Sequence, residues 1–213
     1  MRRIHRFLYS RFPLSNYPYK SFMHKHQCIF IHIPKNAGSS VLGFFGDAGG
    51  RKHAFWYDFF ESKPYLYEKY YKFCIVRHPL DRLYSAYCYS IKGGNGSDLD
   101  KQIMERIVRN SHSFETFIEH VLTPDFLMLQ TLFTPQYLYV YDRNYQLKVD
   151  KILRYENLQS DWLEITQKLG LTGTLKKVNQ SRSVNEIPPL NEKSRLKIQK
   201  LYAFDFKLFQ YST

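Results

Sequence analysis

The chain has 213 residues, enough for one well-covered domain, and a formal net charge of +12 at pH 7. Such a charge suits polyanionic ligands, and nucleic acid is the first to consider. The sequence has no RNA-binding or DNA-binding motif, so its charge alone predicts only non-specific affinity for nucleic acid. It also has no apolar run long enough for a signal sequence or a membrane span.

Residues 1–27 form a basic, aromatic leader, which we expect to be flexible and to precede a single domain over residues 28–213. Cys28, Cys74 and Cys88 lie in apolar surroundings, which is typical of reduced thiols in a reducing compartment. A bridge between Cys28 and Cys74 in neighbouring strands is left open. We expect a bacterial, cytoplasmic protein whose leader is able to contact the anionic inner face of the membrane.

The first predicted element is a buried strand over residues 28–33. Its apolar, β-branched residues alternate little, as in a strand covered on both faces of a parallel sheet. The loop after it contains Lys35 and Gly38 and leads into a helix that begins near Ser39 and Ser40. Glycine in such a loop allows either a positive φ or a close approach of the backbone. Because a helix start carries free N–H groups and a partial positive charge, the loop predicts an anion site.

The order of residues in this loop differs from the phosphate loop of nucleotide triphosphatases, where the lysine directly follows a glycine. Here Lys35 precedes Gly38, and no other stretch contains Gly-Lys-Ser/Thr. A nucleoside or small-molecule kinase with an atypical phosphate loop is therefore an alternative function, but Mg-ATP held in the usual way is disfavoured.

A second strand is predicted over residues 73–76, and the separation from the first is compatible with a βαβ unit. Arg77 ends this strand, and a helix begins with Pro79 in its first turn. Ligands of open α/β sheets bind at the carboxyl ends of the strands. Arg77 is thus placed to bind a phosphate or carboxylate with its guanidinium fork, and Ser85 follows two helical turns later.

Residues 30–40 and 76–85 together resemble the two signature motifs of the carbohydrate-type sulfotransferases, which use 3′-phosphoadenosine 5′-phosphosulfate (PAPS). The resemblance implies a three-layer, P-loop-like α/β fold with a central, mostly parallel sheet flanked by helices. It also implies transfer of a sulfuryl group from PAPS to a hydroxyl of a polysaccharide or glycolipid. No metal is expected, and the sequence has no Cys/His cluster with zinc spacing.

The resemblance also assigns roles to residues, since the family's first motif binds the 5′-phosphosulfate and its second binds the 3′-phosphate. Carried onto this chain, the 5′ end is assigned to Lys35, Asn36, Ala37, Gly38, Ser39 and Ser40, and the 3′-phosphate to Arg77 and Ser85. Residues 149–158 resemble the family's third conserved strand with its helix, and residues 178–182 its nucleotide-covering loop, which adds Arg182. Lys35 is also a predicted catalytic residue, because negative charge accumulates on the leaving phosphate.

The base is expected between the two motifs, where the resembled family often carries a catalytic histidine. We predict His53, because a side chain with an ordinary pKa of about 6.5 suits removal of a hydroxyl proton. Asp58 and Glu61 are close enough in sequence to orient His53 or to replace it, and His32 and His78 are alternatives.

The remaining predicted elements are strands over 136–141 and 149–154 and helices over 101–110, 113–121, 158–169 and 191–202. The first two of these helices lie between the second and third strands of the predicted sheet, and we expect acceptor specificity there. A non-catalytic module that binds polyanions or a membrane surface is a further alternative function.

Overall fold

The computed structural model describes residues 16–176 and 187–213. In chain order the elements are α1 (Ser21–Lys25), β1 (Cys28–Ile31), α2 (Gly38–Phe44), α3 (Trp56–Ser62), α4 (Pro64–Lys69), β2 (Tyr71–Val76), α5 (Pro79–Ser90), α6 (Asp98–Asn110), α7 (Phe114–His120), α8 (Pro124–Leu129), α9 (Tyr137–Val140), β3 (Lys151–Arg154), a 3-10 helix (Tyr155–Asn157), α10 (Leu158–Lys168), α11 (Glu192–Leu201) and α12 (Ala203–Leu208). They fall into two compact units. The first contains the three strands with α1 to α4, α9 and α10, and the second contains α5 to α8, α11 and α12.

The first unit is built on a parallel sheet with the order β1-β2-β3. Ile31 at the end of β1 lies opposite Cys74, and Val76 at the end of β2 lies opposite Arg154. All of β1 and the last four residues of β2 are buried, which explains their nearly unbroken apolar sequence. The α/β fold with a parallel sheet, predicted from the sequence, is confirmed. The ladder of β1 stops at Ile31, two residues before the predicted end of the strand.

The strand register decides whether Cys28 and Cys74 are bridged. Cys28 lies opposite Tyr71, so Cys74 is displaced from it by three residues along the neighbouring strand. At about 3.3 Å per residue this displacement is about 10 Å, beyond the roughly 7 Å that a disulfide spans between Cα atoms. Both cysteines are free and buried, and burial raises the pKa of the Cys28 thiol to about 12.

Residues that the sequence assigned to a flexible leader form part of the first unit. Tyr19, Phe22 and Met23 are buried, and α1 packs against β1. The ring of Phe22 stacks on that of Phe45 with 4.3 Å between their centroids. The predicted boundary at residue 27 therefore falls between two packed elements.

The second unit is helical and has an aromatic core. Phe117 is fully buried and contacts the rings of Tyr87, Phe126 and Phe133 at 5.1 to 5.7 Å. The predicted helices in this unit are confirmed, with Ser113 capping α7 by accepting the N–H of Thr116. The helix predicted from residue 101 begins earlier, at Asp98, because Ser97 caps it.

One predicted strand is wrong. Residues 136–141 were predicted as a strand, but Tyr137–Val140 form the short helix α9. Aromatic and β-branched residues favour strands only where they fit a pleated, half-buried surface. Tyr139 is instead stacked on Phe55, with 4.4 Å between ring centroids, and is fully buried. Packing in the first unit thus overrides the local β preference.

The predicted nucleotide-covering loop at residues 178–182, with Arg182, lies outside the described residues. Within the part of the chain that the structure describes, no helix is long and apolar enough to cross a membrane.

Candidate functional site

The loop between β1 and α2 has an unusual backbone. Lys35 and Ala37 both have positive φ angles, 69° and 57°, although neither is glycine. Left-handed conformations cost a non-glycine residue on the order of 1–3 kcal/mol and are concentrated at ligand-binding and catalytic sites. The backbone of this loop is therefore held in place against a local penalty, as is common where a ligand binds.

Gly38 in this loop is required by its surroundings. A Cβ at this position would lie 1.7 Å from Nε2 of His32, far inside van der Waals contact. The sequence left open whether this glycine provides a positive φ or a close approach. The structure selects the close approach, since the positive φ angles fall on Lys35 and Ala37.

Asn36 connects the β1–α2 loop to the sheet through side-chain hydrogen bonds. Its side chain is 1% exposed, and its Nδ2 donates to the carbonyl oxygen of Ile75 at 2.8 Å and to Oε1 of Gln136 at 2.7 Å. Ile75 is near the carboxyl end of β2, and Gln136 directly precedes α9. The sequence assigned Asn36 to the donor and did not identify Gln136. No local pattern marks a partner one hundred residues away.

The start of α2 distinguishes the two serines. The N–H groups of Ser40 and Val41 both donate to the carbonyl of Ala37, at 2.9 and 3.3 Å. The amide of Ser40 is therefore used inside the turn, and its side chain is buried. The amides of Gly38 and Ser39 lie ahead of this first helical bond, which is where a helix leaves N–H groups for other partners.

His53, the predicted base, lies beside the β1–α2 loop. Its Nδ1 is 3.2 Å from the carbonyl oxygen of His32, and the two imidazole centroids are 4.5 Å apart. The side chain of His53 is half-buried, and that of Ala54 next to it is fully buried. The structure thus brings together His53 and the β1–α2 loop through His32.

The turn before His53 is fixed by a residue of the predicted leader. Lys20 forms an ion pair with Oδ2 of Asp47 at 2.6 Å and donates to the carbonyl of Gly50 at 3.1 Å. The second carboxylate oxygen of Asp47 accepts the N–H of Gly49 at 2.8 Å. Lys20 therefore anchors the segment that leads to His53, a role the sequence did not indicate.

Three basic side chains lie near His53, and we call Lys20, Arg51, Lys52 and His53 the basic cluster. The pKa of His32 lies well below its ordinary value, first because the ring is buried and then because of the charges of His53, Arg51 and Lys20. The pKa of Lys52 is also lowered, by burial and by Lys20, against a smaller opposing effect of Asp47.

The two carboxylates proposed as alternatives near His53 differ in their surroundings. Asp58 is buried and its Oδ2 accepts the N–H of Phe55 at 2.7 Å, which closes the first turn of α3. Glu61 lies on the same helix with an exposed side chain. This contact gives Asp58 a structural role at the start of α3.

The second unit contains the residues assigned to the 3′-phosphate. Arg77 directly follows β2 and is 6% exposed, and Ser85 is half-buried on α5. His78 is within hydrogen-bond distance of the carbonyl of Ser212, at 3.2 Å, and its ring contacts Phe206. His78 thus connects the start of α5 to the end of the chain, which indicates a structural role. The ligand assignments of Arg77 and Ser85 stay predictions.

Residues 16–176 and 187–213 contain no group of three or more His, Cys, Asp or Glu side chains that could hold a metal ion.

Comparisons with known proteins identify the family of the chain through one family model. Neither the curated proteins nor the solved structures include a match. The family model described as "Sulfotransferase family" matches residues 21–212. This range includes α1, the β1–α2 loop, His53 and both units of the structure. The chain therefore belongs to the sulfotransferase family.

Proposed function

We propose that the protein transfers a sulfuryl group from PAPS to a hydroxyl of a carbohydrate. Its membership of the sulfotransferase family supports sulfuryl transfer in general. The observation that carries the finer proposal is the contact of both Gly38 and His53 with His32, which joins an anion-binding loop to a candidate base.

The donor assignment is supported by the shape and charge of the loop. Lys35 brings a positive charge to a backbone with two left-handed residues, and the absence of a Cβ on Gly38 lets the His32 ring pack directly against the loop. The amides of Gly38 and Ser39 precede the first bond of α2. These features suit the 5′-phosphosulfate group of the donor. In the proposed site Asn36 contributes to donor binding indirectly. Its Nδ2 holds the β1–α2 loop in position through hydrogen bonds to Ile75 and Gln136.

In the proposed reaction, His53 accepts the proton of the acceptor hydroxyl at Nε2. The hydroxyl oxygen forms a bond to the donor sulfur while the bond from sulfur to the bridging phosphate oxygen breaks. The electron pair of the broken bond stays on the 5′-phosphate, where Lys35 stabilises the developing charge. The products are a sulfate ester and adenosine 3′,5′-bisphosphate.

The basic cluster supports an acceptor that itself carries acidic groups. Arg51 and Lys52 directly precede His53 and are exposed. Positive charge next to a base attracts an anionic polymer or glycolipid to the point where its hydroxyl reacts. The acceptor class that we propose is therefore a carbohydrate with carboxylate, phosphate or sulfate groups.

Other parts of the proposal rest on the sequence alone. They are the binding of the 3′-phosphate by Arg77 and Ser85, the contribution of Arg182, and a cytoplasmic location with the basic leader at the membrane surface. No specific nucleic-acid partner is part of the proposal.

The experiment that tests the function is incubation with sulfur-labelled PAPS and a panel of neutral and acidic glycan extracts. We expect label in acidic glycans with the wild-type protein and at least about 100-fold less with His53→Ala, the usual scale of losing general-base catalysis. Equal transfer by His53→Ala would contradict the base assignment. Transfer of phosphate from Mg-ATP, without sulfuryl transfer from PAPS, would establish the kinase alternative instead.

A further inference from the structure

One histidine contacts both parts of the proposed site. The ring of His32 lies against the backbone of Gly38, where a Cβ would be 1.7 Å from Nε2 and 2.1 Å from Cδ2. The same ring is 4.5 Å from the imidazole of His53, centroid to centroid. Phe30 stacks on it at 5.5 Å with an interplanar angle of 19°. His32 is thus packed between the β1–α2 loop, the candidate base His53 and the sheet.

The carbonyl of His32 determines which nitrogen of His53 is protonated. A carbonyl oxygen can only accept a hydrogen bond, so Nδ1 of His53, 3.2 Å away, carries the hydrogen in this contact. A neutral imidazole has one ring hydrogen, so Nε2 of His53 keeps its lone pair. The tautomer set by His32 is therefore the one in which Nε2 can take a proton.

The stability of the fold does not explain why a polar ring is buried at residue 32. The side chain is 6% exposed, and its Nδ1 has no hydrogen-bond partner among the residues that the structure describes. A buried polar atom without a partner destabilises a fold, and an apolar side chain of similar shape would avoid that cost. Burial lowers the pKa of His32, as do the charges of His53, Arg51 and Lys20, so the ring is neutral at neutral pH.

We propose that His32 is a positioning residue for sulfuryl transfer, whose ring sets the separation of Gly38 and His53 and whose carbonyl holds His53 in the Nδ1–H tautomer. The inference rests on the proposed function, in which the loop holds the donor and His53 takes the proton. Small misplacements of reacting groups cause large losses of rate, so one residue that fixes both sides has a direct effect on turnover.

The tautomer of His53 tests this inference without ligand or turnover. Nitrogen NMR of histidine-labelled wild-type protein distinguishes the two neutral tautomers, and His53→Ala identifies the His53 signals. We expect the Nδ1–H form to predominate at a pH where His53 is neutral. Predominance of the Nε2–H form, or an equal mixture, would overturn the proposal. Because no donor or acceptor is present, this result does not depend on whether the protein uses PAPS.

The kinetic arm uses His32→Ala and His32→Gln, with His112→Ala as the control because His112 is exposed. We expect kcat per folded molecule to fall about 10–100-fold in both His32 variants, as when a supporting contact of a reactive group is lost. KM for PAPS should stay within about two-fold. A purely structural role would lower only the folded fraction. Wild-type kcat per folded molecule in either His32 variant would overturn the proposal, whereas absence of transfer by the wild type would contradict the proposed function alone.

Discussion

The side-chain amide of Asn36 donates to the side-chain oxygen of Gln136 at 2.7 Å, across one hundred residues of sequence. Both side chains are almost completely buried. Gln136, the first residue of the first unit's second chain segment, therefore holds the β1–α2 loop in place.

Gln136→Met keeps the length of the side chain but leaves Nδ2 of Asn36 with one partner fewer. We expect the free energy of unfolding to fall by about 1–3 kcal/mol, the cost of a lost bond at a buried polar group. Urea unfolding followed by circular dichroism measures it. Gln167→Met, at an exposed position on α10, should change it by less than about 0.5 kcal/mol. Equal effects of the two substitutions would contradict a supporting role for Gln136.

Gly38→Ala should damage the site because its Cβ would meet the His32 ring at 1.7 Å. Such overpacking typically costs about 1–3 kcal/mol of stability. We also expect loss of thermal protection by adenosine 3′,5′-bisphosphate, since the loop must move. Gly50→Ala is the matched control, because nothing lies within 4 Å of a Cβ there. Wild-type stability and protection in Gly38→Ala would show that the close approach is not needed.

The sequence predicted the sheet and the position of the loop correctly because those signals are local. An unbroken apolar run indicates a buried strand, and the loop of Lys35 and Gly38 follows it directly. The helix at residues 113–121 was predicted from its serine cap and apolar stripe, and the structure confirms it together with the predicted helix at 191–202.

Contacts between distant residues could not be predicted. The helix Tyr137–Val140 forms where alternating aromatic residues suggested a strand, because Tyr139 packs on Phe55. The anchoring of the turn before His53 by Lys20 likewise depends on an ion pair with Asp47. A single sequence does not reveal either pairing, because the partners are far apart along the chain.

His32 should make stability depend on pH. Its folded-state pKa lies well below the value of about 6.5 that it has when unfolded, so below that pH the unfolded chain binds a proton that the folded protein does not. Stability therefore falls as pH is lowered through about 6.5, by up to about 1.4 kcal/mol per pH unit from this residue. Urea unfolding between about pH 7 and 5 should give a shallower slope for His32→Gln than for the wild type. The exposed His112→Gln should keep the wild-type slope, and an unchanged slope in His32→Gln would contradict the buried, neutral ring.

The cysteines should differ in reactivity. Cys28 and Cys74 are buried in neighbouring strands, and burial raises the pKa of both thiols, whereas Cys88 is half-buried on α5. Iodoacetamide should modify Cys88 at least about 100-fold faster, since the strands must open before their thiols react. Peptide mapping by mass spectrometry follows each site, with urea-unfolded protein as the control. Comparable rates at all three cysteines in the folded protein would contradict the sheet core.

The most direct measurement of the central claim is the thermal shift caused by adenosine 3′,5′-bisphosphate in the wild type, in Lys35→Ala and in the exposed control Lys69→Ala. At 100 times its Kd, a ligand stabilises a folded protein by about 2.7 kcal/mol, which raises Tm by several degrees. We expect this rise in the wild type and in Lys69→Ala, and its loss in Lys35→Ala. An equal rise in Lys35→Ala, or none in the wild type, would contradict a β1–α2 loop that holds the 5′ end of the sulfuryl donor.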